Sequence, residues 1–256
     1  MNYEHTIYEK RGRIAYVTIN RPNSMNALNS RCHVELRHIF EDYRDDPELW
    51  VAILTGAGER AFCAGADLKE VADSNALADT VWGGITRDFE CFKPLIAAVN
   101  GVAFGGGTEL VLAADVVVAA DTARFGLTEP RVGVIAGAGG LQRLPRQIPL
   151  TRAMGLILTG GRMDAQEAYS LGLVNEVVPA AELMQAAERW AGEILACSPT
   201  SVRLSKEVII RGLEHASVEE AFETQEDPIR RLLASEDFKE GPRAFSEKRP
   251  PKWRGR

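Results

Sequence analysis

The chain has 256 residues, of which 45% are hydrophobic and 26% charged, a composition typical of a folded globular protein and unlike that of a disordered one. The net charge of −6 disfavours sequence-independent binding to nucleic acid. No uninterrupted apolar stretch approaches the length that crosses a membrane. The opening segment MNYEHTIYEK lacks the apolar region of a secretory signal. We therefore expect a cytoplasmic protein that binds neither nucleic acid nor membrane.

Cysteine and histidine spacing indicates no metal site. Cys32, Cys63, Cys91 and Cys197 are too far apart for a C-x-x-C motif, and the histidines form no H-E-x-x-H pair. We expect reduced thiols and no metal or redox cofactor.

The first part of the chain predicts a strand, a helix and a second strand. The segment 13–19 is rich in β-branched residues, and Asn29 or Ser30 can cap the helix that follows. Helical spacing of apolar side chains continues to Tyr43, and Pro47 precedes a strand over 50–54.

A second unit of the same kind follows. We predict a helix near 85–92, a strand over 95–99, a glycine-rich turn with a short helix opening near Gly107, and a strand over 116–120. Alternation of strands and helices indicates an α/β fold. From Ala181 onward strand signals stop and helices are predicted to the end, which suggests a core over 1–196 and a helical region over 197–256.

Three glycine-rich turns begin at Gly56, Gly105 and Gly137. None completes the dinucleotide motif G-x-G-x-x-G, because Ala61, Leu110 and Gln142 occupy the last position, and no phosphate-binding Gly-Lys-Ser/Thr loop occurs. The usual nucleotide sites are therefore not predicted.

The middle turn, 105–107, joins an apolar strand to a helix, so its backbone N–H groups lie at the positive end of a helix dipole. Glycine lets a carbonyl oxygen approach these groups, and Glu109 follows in the first helical turn. An oxyanion site is one interpretation. A purely structural turn is the other.

Two more segments carry possible functional groups. The segment FCAGADLK, 62–69, is a loop of small residues in which Asp67 can cap a helix. In FGLTEP, 125–130, Pro130 is expected to hold Glu129 extended. A capped loop and an exposed surface glutamate are the simpler interpretations.

Together these segments resemble the crotonase superfamily, also called the enoyl-CoA hydratase/isomerase family. The resemblance covers nearly the whole chain and rests on six segments in the family's order: RPNSMNALN, AFCAGADLKE, AAVNGVAFGGGTEL, FGLTEPRVGVIAGAGGLQRLP, LTGGRMDAQEAYSLGLVNEVV and EGPRAFSEKRPPKW. It implies a crotonase-like spiral of ββα units with a helical C-terminal trimerisation region, and hexamers built from two trimers.

The resemblance also implies catalytic positions. Ala66 and Gly106 match the two residues whose amides form the family's oxyanion hole, and Glu109 and Glu129 match the two glutamates of the hydratases. Isomerases of the family typically keep one acid. The expected activity is that of an enoyl-CoA hydratase of fatty acid metabolism, a lyase, with Glu109 as base and Glu129 as acid.

Matches to coenzyme A-binding positions are weaker, and the coenzyme is expected as part of the substrate, not as a cofactor. Lys69 and Lys248 are equally well explained as surface lysines. The matching positions are Asn23, Ser24, Met25, Ala64, Lys69, Phe245 and Lys248. The basic stretch that begins at Lys248 is either a solvated tail or an anion-binding surface.

The sequence does not determine the chain length or head group of the acyl substrate. Ala136 stands where many hydratases have proline, and the segment 71–92, expected to line the acyl pocket, is individual to this chain. The segments YRDDPELWVAILTGAGE and SEDFKEGPRAFSEKRPPKWRGR are similar to the crotonobetainyl-CoA hydratase branch. Isomerisation, other enolate chemistry, and a non-catalytic acyl-CoA-binding or RNA-binding protein are the alternatives.

Overall fold

The computed structural model describes residues 2–73 and 82–256, which form ten β-strands and eleven α-helices. The strands are β1 Thr6–Arg11, β2 Ile14–Ile19, β3 Val51–Gly56, β4 Ala61–Cys63, β5 Leu95–Val99, β6 Val102–Phe104, β7 Val116–Ala120, β8 Arg124–Gly126, β9 Met163–Asp164 and β10 Glu176–Val178. The helices are α1 Ser30–Asp45, α2 Leu68–Asp73, α3 Gly106–Leu112, α4 Gly140–Gln147, α5 Leu150–Thr159, α6 Ala165–Ser170, α7 Leu183–Ala196, α8 Pro199–Gly212, α9 Val218–Glu223, α10 Glu226–Ala234 and α11 Glu236–Ser246.

The strands form two sheets, and the chain alternates between them. Among the described residues the larger sheet has the order β1-β2-β3-β5-β7-β10 and the smaller one β4-β6-β8-β9. All neighbours pair in parallel except β1 with β2 and β8 with β9. Each turn from β3 to β8 therefore adds one strand to each sheet, which confirms the predicted α/β class and its spiral of strand pairs.

The larger sheet is covered on both faces, which explains why its central strands are apolar throughout. On one face Leu36 and Phe40 of α1 pack with Leu54 of β3 in the main core. On the other face Ala187 of α7 packs with Ile53 of the same strand in a second core. The larger sheet is thus packed between two layers of helices. The loops that follow β4, β6 and β8 extend from the smaller sheet.

One predicted helix is wrong. Residues 85–92 form no helix, and the segment before them turns at Gly83 and Gly84, both with positive φ. Carbonyl groups within 85–92 accept hydrogen bonds from distant arginines instead of from the next helical turn. Arg143 donates to the Thr86 oxygen at 2.8 Å, and Arg37 donates to the Asp88 oxygen at 3.0 Å. These contacts replace the helical hydrogen bonds.

Most other predicted elements are present. Helix α1 begins after Asn29, whose side chain accepts a hydrogen bond from the Cys32 amide at 3.0 Å, and the strands predicted over 95–99 and 116–120 have those bounds. Helices continue from α7 to the end of α11. No helix among the described residues is long and apolar enough to span a membrane. Helix α7, which ends at Ala196, packs on the larger sheet. The division of the chain into a core and a helical region after residue 196 stays a prediction.

A buried carboxylate anchors the N-terminus to α1. The side chain of Glu35 is fully buried and accepts hydrogen bonds from the amides of Glu4 (2.8 Å) and His5 (2.9 Å) and from the Thr6 hydroxyl (2.9 Å). Arg31, one helical turn earlier, donates to it at 2.8 Å. Burial alone would raise the pKa of Glu35, but these hydrogen bonds outweigh it and lower the pKa.

We expect Glu35→Gln to lower the free energy of unfolding by roughly 2–4 kcal/mol, because a glutamine side chain leaves buried donors without an acceptor. The wild-type contribution is present above the ordinary glutamate pKa and is lost as pH falls through the lowered folded-state pKa, so the variant should lack it. Urea unfolding as a function of pH measures both. Glu41→Gln, which removes only the exposed pair with Arg37, should change stability by less than about 1 kcal/mol.

Candidate active site

The three segments singled out in the sequence line one cavity of about 660 Å³. Ala64 to Ala66 come from the loop after β4, Gly105 to Glu109 from the start of α3, and Thr128 and Glu129 from the turn after β8. These elements are neighbours because β4, β6 and β8 are adjacent parallel strands of the smaller sheet. Segments that follow such strands meet at one edge.

Thr108 ties the start of α3 to the sheet below it. Its buried hydroxyl lies 2.6 Å from the Ala103 oxygen, 3.0 Å from the Gly126 oxygen and 3.1 Å from the Gly126 nitrogen. The first turn of α3 is thereby held against β6 and β8, so the backbone of Gly106 and the side chain of Glu109 have fixed positions.

Two backbone N–H groups are available at the cavity wall. Residues on either side of Ala66 bond to Leu28, whose N–H donates to Gly65 at 2.8 Å and whose oxygen accepts from Asp67 at 2.9 Å. The Ala66 N–H therefore faces the other way, and Gly106, as the first residue of α3, has no helical acceptor. Within residues 2–73 and 82–256 neither N–H has a protein acceptor, so the pair can bind an oxyanion.

Glu109 is a buried carboxylic acid held by a loop of amides. Its side chain is almost inaccessible, at 2% exposure, and its Oε1 accepts the Gly140 N–H at 2.8 Å. Burial, and to a smaller extent the negative charge of Glu129, raise the pKa of Glu109 to about 7, against the hydrogen bond from Gly140 and the nearby amide of Ala138. A carboxyl group with this pKa can accept or release a proton near neutral pH.

Glu129 lies beside it with an oxygen that has no partner. It begins a 3-10 turn, Glu129–Val132, so the expectation that Pro130 holds it extended is wrong: proline is tolerated in a first helical turn, where its missing N–H is not needed. Its Oε2 is buried without a hydrogen-bond partner in the described structure, and burial raises its pKa. The side chain lies over Gly105, where a β-carbon would be 3.1 Å from Oε1.

Trp82 forms a wall of the cavity; it lies in the segment 71–92 expected to line the acyl pocket, but the sequence did not single it out. A β-carbon on Gly106 would overlap its ring, so glycine is required there by close approach. The ring meets His33 of α1 with centroids 4.7 Å apart, and the His33 Nδ1 accepts the Gly83 N–H at 3.0 Å. Burial lowers the pKa of His33 to about 4, so this support is neutral. Residues 74–81 of the predicted acyl-pocket segment lie outside the described residues.

The predicted coenzyme A positions are only partly brought together. Ala64 lines the cavity and its N–H donates to the Met25 oxygen at 3.0 Å, while Asn23, Ser24 and Lys69 are exposed and do not line it. Phe245, 88% exposed at the end of α11, and Lys248 also lie away from the lining residues. A role for these positions stays a prediction.

The basic C-terminal stretch is partly neutralised within the chain. Arg249 bonds Glu240 at 3.0 Å and Glu247 at 2.6 Å, and Arg256 bonds Glu236 at 3.0 Å. These pairs favour the interpretation of a surface tail over an anion site. Within the described part of the chain, no group of three or more His, Cys, Asp or Glu residues has the arrangement of a metal site.

Sequence comparison finds relatives along nearly the full length. A family model described as enoyl-CoA hydratase/isomerase matches residues 9–256. The carnitinyl-CoA dehydratase of Proteus mirabilis is 44% identical over 255 residues, covering 96% of this chain and 97% of the relative. The carnitinyl-CoA dehydratase of Escherichia coli K12 is 43% identical over 256 residues with the same coverage.

Structure comparison gives a similar result. An enoyl-CoA hydratase from Bacillus anthracis has a TM-score of 0.93 and 38% identity, covering 99% of this chain and 100% of that one. An enoyl-CoA hydratase from Mycobacterium marinum also has a TM-score of 0.93, with 41% identity and 98% and 99% coverage.

Proposed function

The chain belongs to the enoyl-CoA hydratase/isomerase family, the crotonase superfamily, and we propose that it catalyses the reversible addition of water to a 2-enoyl-CoA thioester. One observation carries the proposal: the buried carboxyl group of Glu109 and the partly buried one of Glu129 line the same cavity as the N–H groups of Ala66 and Gly106, which have no acceptor within residues 2–73 and 82–256. Coenzyme A is part of the proposed acyl-CoA substrate, and no cofactor is proposed.

Hydration requires two proton transfers and a stabilised enolate. As the water oxygen attacks C3, the water loses a proton to a base and the C=C electron pair moves towards the thioester oxygen. The amides of Ala66 and Gly106 bind this developing charge. C2 then takes a proton from an acid, and the proton gained by the base returns to the acid before the next turnover.

The contacts of the two carboxyl groups suggest their roles. Glu109 accepts an N–H at 2.8 Å, a contact that leaves it able to act as an acceptor for a water proton. Among the described residues the Oε2 of Glu129 has no hydrogen-bond partner, so a proton there can be donated to substrate. We assign Glu109 as base and Glu129 as acid, with coupled titration of the pair.

The alternatives fit the site less well. Double-bond isomerisation moves one proton within the substrate and needs a single acid–base group, whereas two raised-pKa carboxyl groups line this cavity. A non-catalytic acyl-CoA-binding or RNA-binding protein would not need buried carboxyl groups whose burial opposes their charged form.

We expect Glu109→Gln and Glu129→Gln each to reduce turnover about a hundredfold or more while substrate affinity changes little, because shape is kept and proton exchange is lost. Loss of enoyl-thioester absorbance with crotonyl-CoA measures the rate. The double variant should lose much less than the product of the single losses. Glu59→Gln, an exposed glutamate outside the cavity, is the control. Full activity of Glu109→Gln would show that the base assignment is wrong.

A second candidate concerns the acyl group, which we propose carries a trimethylammonium group, as in the crotonobetainyl-CoA and carnitinyl-CoA pair. The sequence relatives named carnitinyl-CoA dehydratase support it. So does Trp82, because an indole face is the preferred aromatic partner of a quaternary ammonium. Arg87, an exposed cation along the same cavity, favours the opposite charge, so an enoyl-CoA with a terminal carboxylate is the competing substrate.

We expect a higher kcat/KM for crotonobetainyl-CoA than for crotonyl-CoA, and a preference reduced roughly tenfold in Trp82→Leu, since cation–π contacts contribute about 0.5–2 kcal/mol. Trp82→Phe keeps an aromatic face and should retain most of the preference. A preference for the carboxylate substrate, or one that Trp82→Leu leaves unchanged, would contradict the cationic acyl group without affecting hydratase activity.

We further propose a cytoplasmic trimer or hexamer assembled through the C-terminal helices. Helices α8 to α10 and the residue that follows α8 expose large apolar side chains that a single chain would leave in water: Ile209, Ile210, Leu213, Val218, Phe222, Ile229 and Leu233.

Light scattering should therefore give the mass of three or six chains at micromolar concentration, because association covers this apolar surface. Leu213→Glu places a charge on it and should shift the mass towards the monomer, whereas Glu214→Gln, next to it, should not. A stable wild-type monomer would refute the assembly.

A further inference from the structure

Arg143 of α4 is a cation near the cavity that forms no ion pair among the described residues. Its side chain is partly buried, and among the described side chains no carboxylate lies within 4.0 Å of its guanidinium. It bonds only to backbone oxygens, those of Thr86 at 2.8 Å and Ala138 at 3.5 Å. Its charge is therefore not cancelled by an ion pair, and burial lowers its pKa.

The position of the guanidinium is set by the loop that holds Glu109. A β-carbon at Gly139 would overlap it, and Gly139 has φ 110°, so only glycine suits this position. On either side of Gly139, the Gly140 N–H donates to the Glu109 carboxylate at 2.8 Å, and the Ala138 amide lies near enough to lower the pKa of Glu109. Arg143 and Glu109 thus contact the same three-residue loop.

Arg143 also joins this loop to the segment behind Trp82. The Thr86 oxygen that it binds lies four residues after Trp82, and the Thr86 hydroxyl donates to the Trp82 oxygen at 2.8 Å. One side chain therefore links the wall of the cavity to the loop of the catalytic base. A planar guanidinium can hold two carbonyl groups in this way, whereas a lysine ammonium lacks the fork geometry.

We propose that Arg143 is a positioning residue for Glu109, acting through the 138–140 loop and by its unpaired positive charge. The proposal rests on the hydratase function. The charged groups that face Glu109 in the described structure are Glu129 and Arg143; α3 has no other titratable side chain, and Arg87 is exposed further along the cavity. Arg143 favours the ionised form of Glu109, opposing burial and Glu129.

The test separates the electrostatic effect of Arg143 on Glu109 from the hydrogen bonds by which Arg143 holds the 138–140 loop. Base catalysis by Glu109 is lost as pH falls through its pKa, so kcat/KM for crotonyl-CoA hydration should have an acidic limb near pH 7. In Arg143→Gln the stabilising charge is gone, and the acidic limb should move to higher pH by several tenths of a unit, so the loss of activity relative to the wild type is largest on the acidic side of the profile. In Arg143→Lys the limb should stay and kcat should fall at every pH. Arg146→Gln, on the exposed side of the same helix, is the control.

Arg143→Met replaces the glutamine variant if thermal unfolding shows that Arg143→Gln is not folded. Infrared titration of the Glu109 carboxyl, identified by its loss in Glu109→Gln, gives the same answer without turnover and so separates failure of this proposal from failure of the hydratase function. A folded charge-removal variant whose limb and titration match the wild type would overturn the proposal, as would a limb that moves equally in Arg143→Lys.

Discussion

The hydrogen bond from the Gly140 amide to the buried Glu109 carboxylate is the contact around which the site is arranged. A carboxyl group at 2% exposure is costly to ionise, and burial raises its pKa to about 7. The amides of the 138–140 loop lower that cost, since N–H groups favour the charged form. Without them the pKa would be higher still, and less of the carboxyl group would be ionised at neutral pH for the proposed role as base.

Placing such a group requires a rigid frame on several sides. The smaller sheet supplies it: β4, β6 and β8 lie side by side and in parallel, so the Ala66 loop, the start of α3 and the Glu129 turn emerge at one edge. The larger sheet, covered by α1 and α7, holds this edge in place. Alternation of the chain between the two sheets therefore converts three distant sequence segments into one cavity.

The cavity wall explains how one fold can serve different acyl groups. The proposed oxyanion site consists of backbone amides, which any sequence compatible with the turns can supply. The rest of the wall, by contrast, consists of the side chains of Trp82, Arg87 and the exposed apolar residues Val132, Val134 and Ile135. On the proposed function, substitutions at Arg87, Val132, Val134 or Ile135 should alter the fit of the acyl group, whereas Trp82 also lies against Gly106 of the proposed oxyanion site.

The sequence by itself determined the α/β alternation, helix α1 with its Asn29 cap, and the family, and through the family the two glutamates and two amide positions, because periodicity, capping and motifs are local properties. Tertiary structure decided the rest. The segment 85–92 has helical periodicity, yet Arg143 and Arg37, 57 and 51 residues from their acceptors, take its carbonyl groups. Three further features depend on contacts between distant segments, which no local pattern encodes: the approach of Trp82 to Gly106, and, within the described residues, the Glu129 oxygen without a partner and the Arg143 guanidinium without an ion pair.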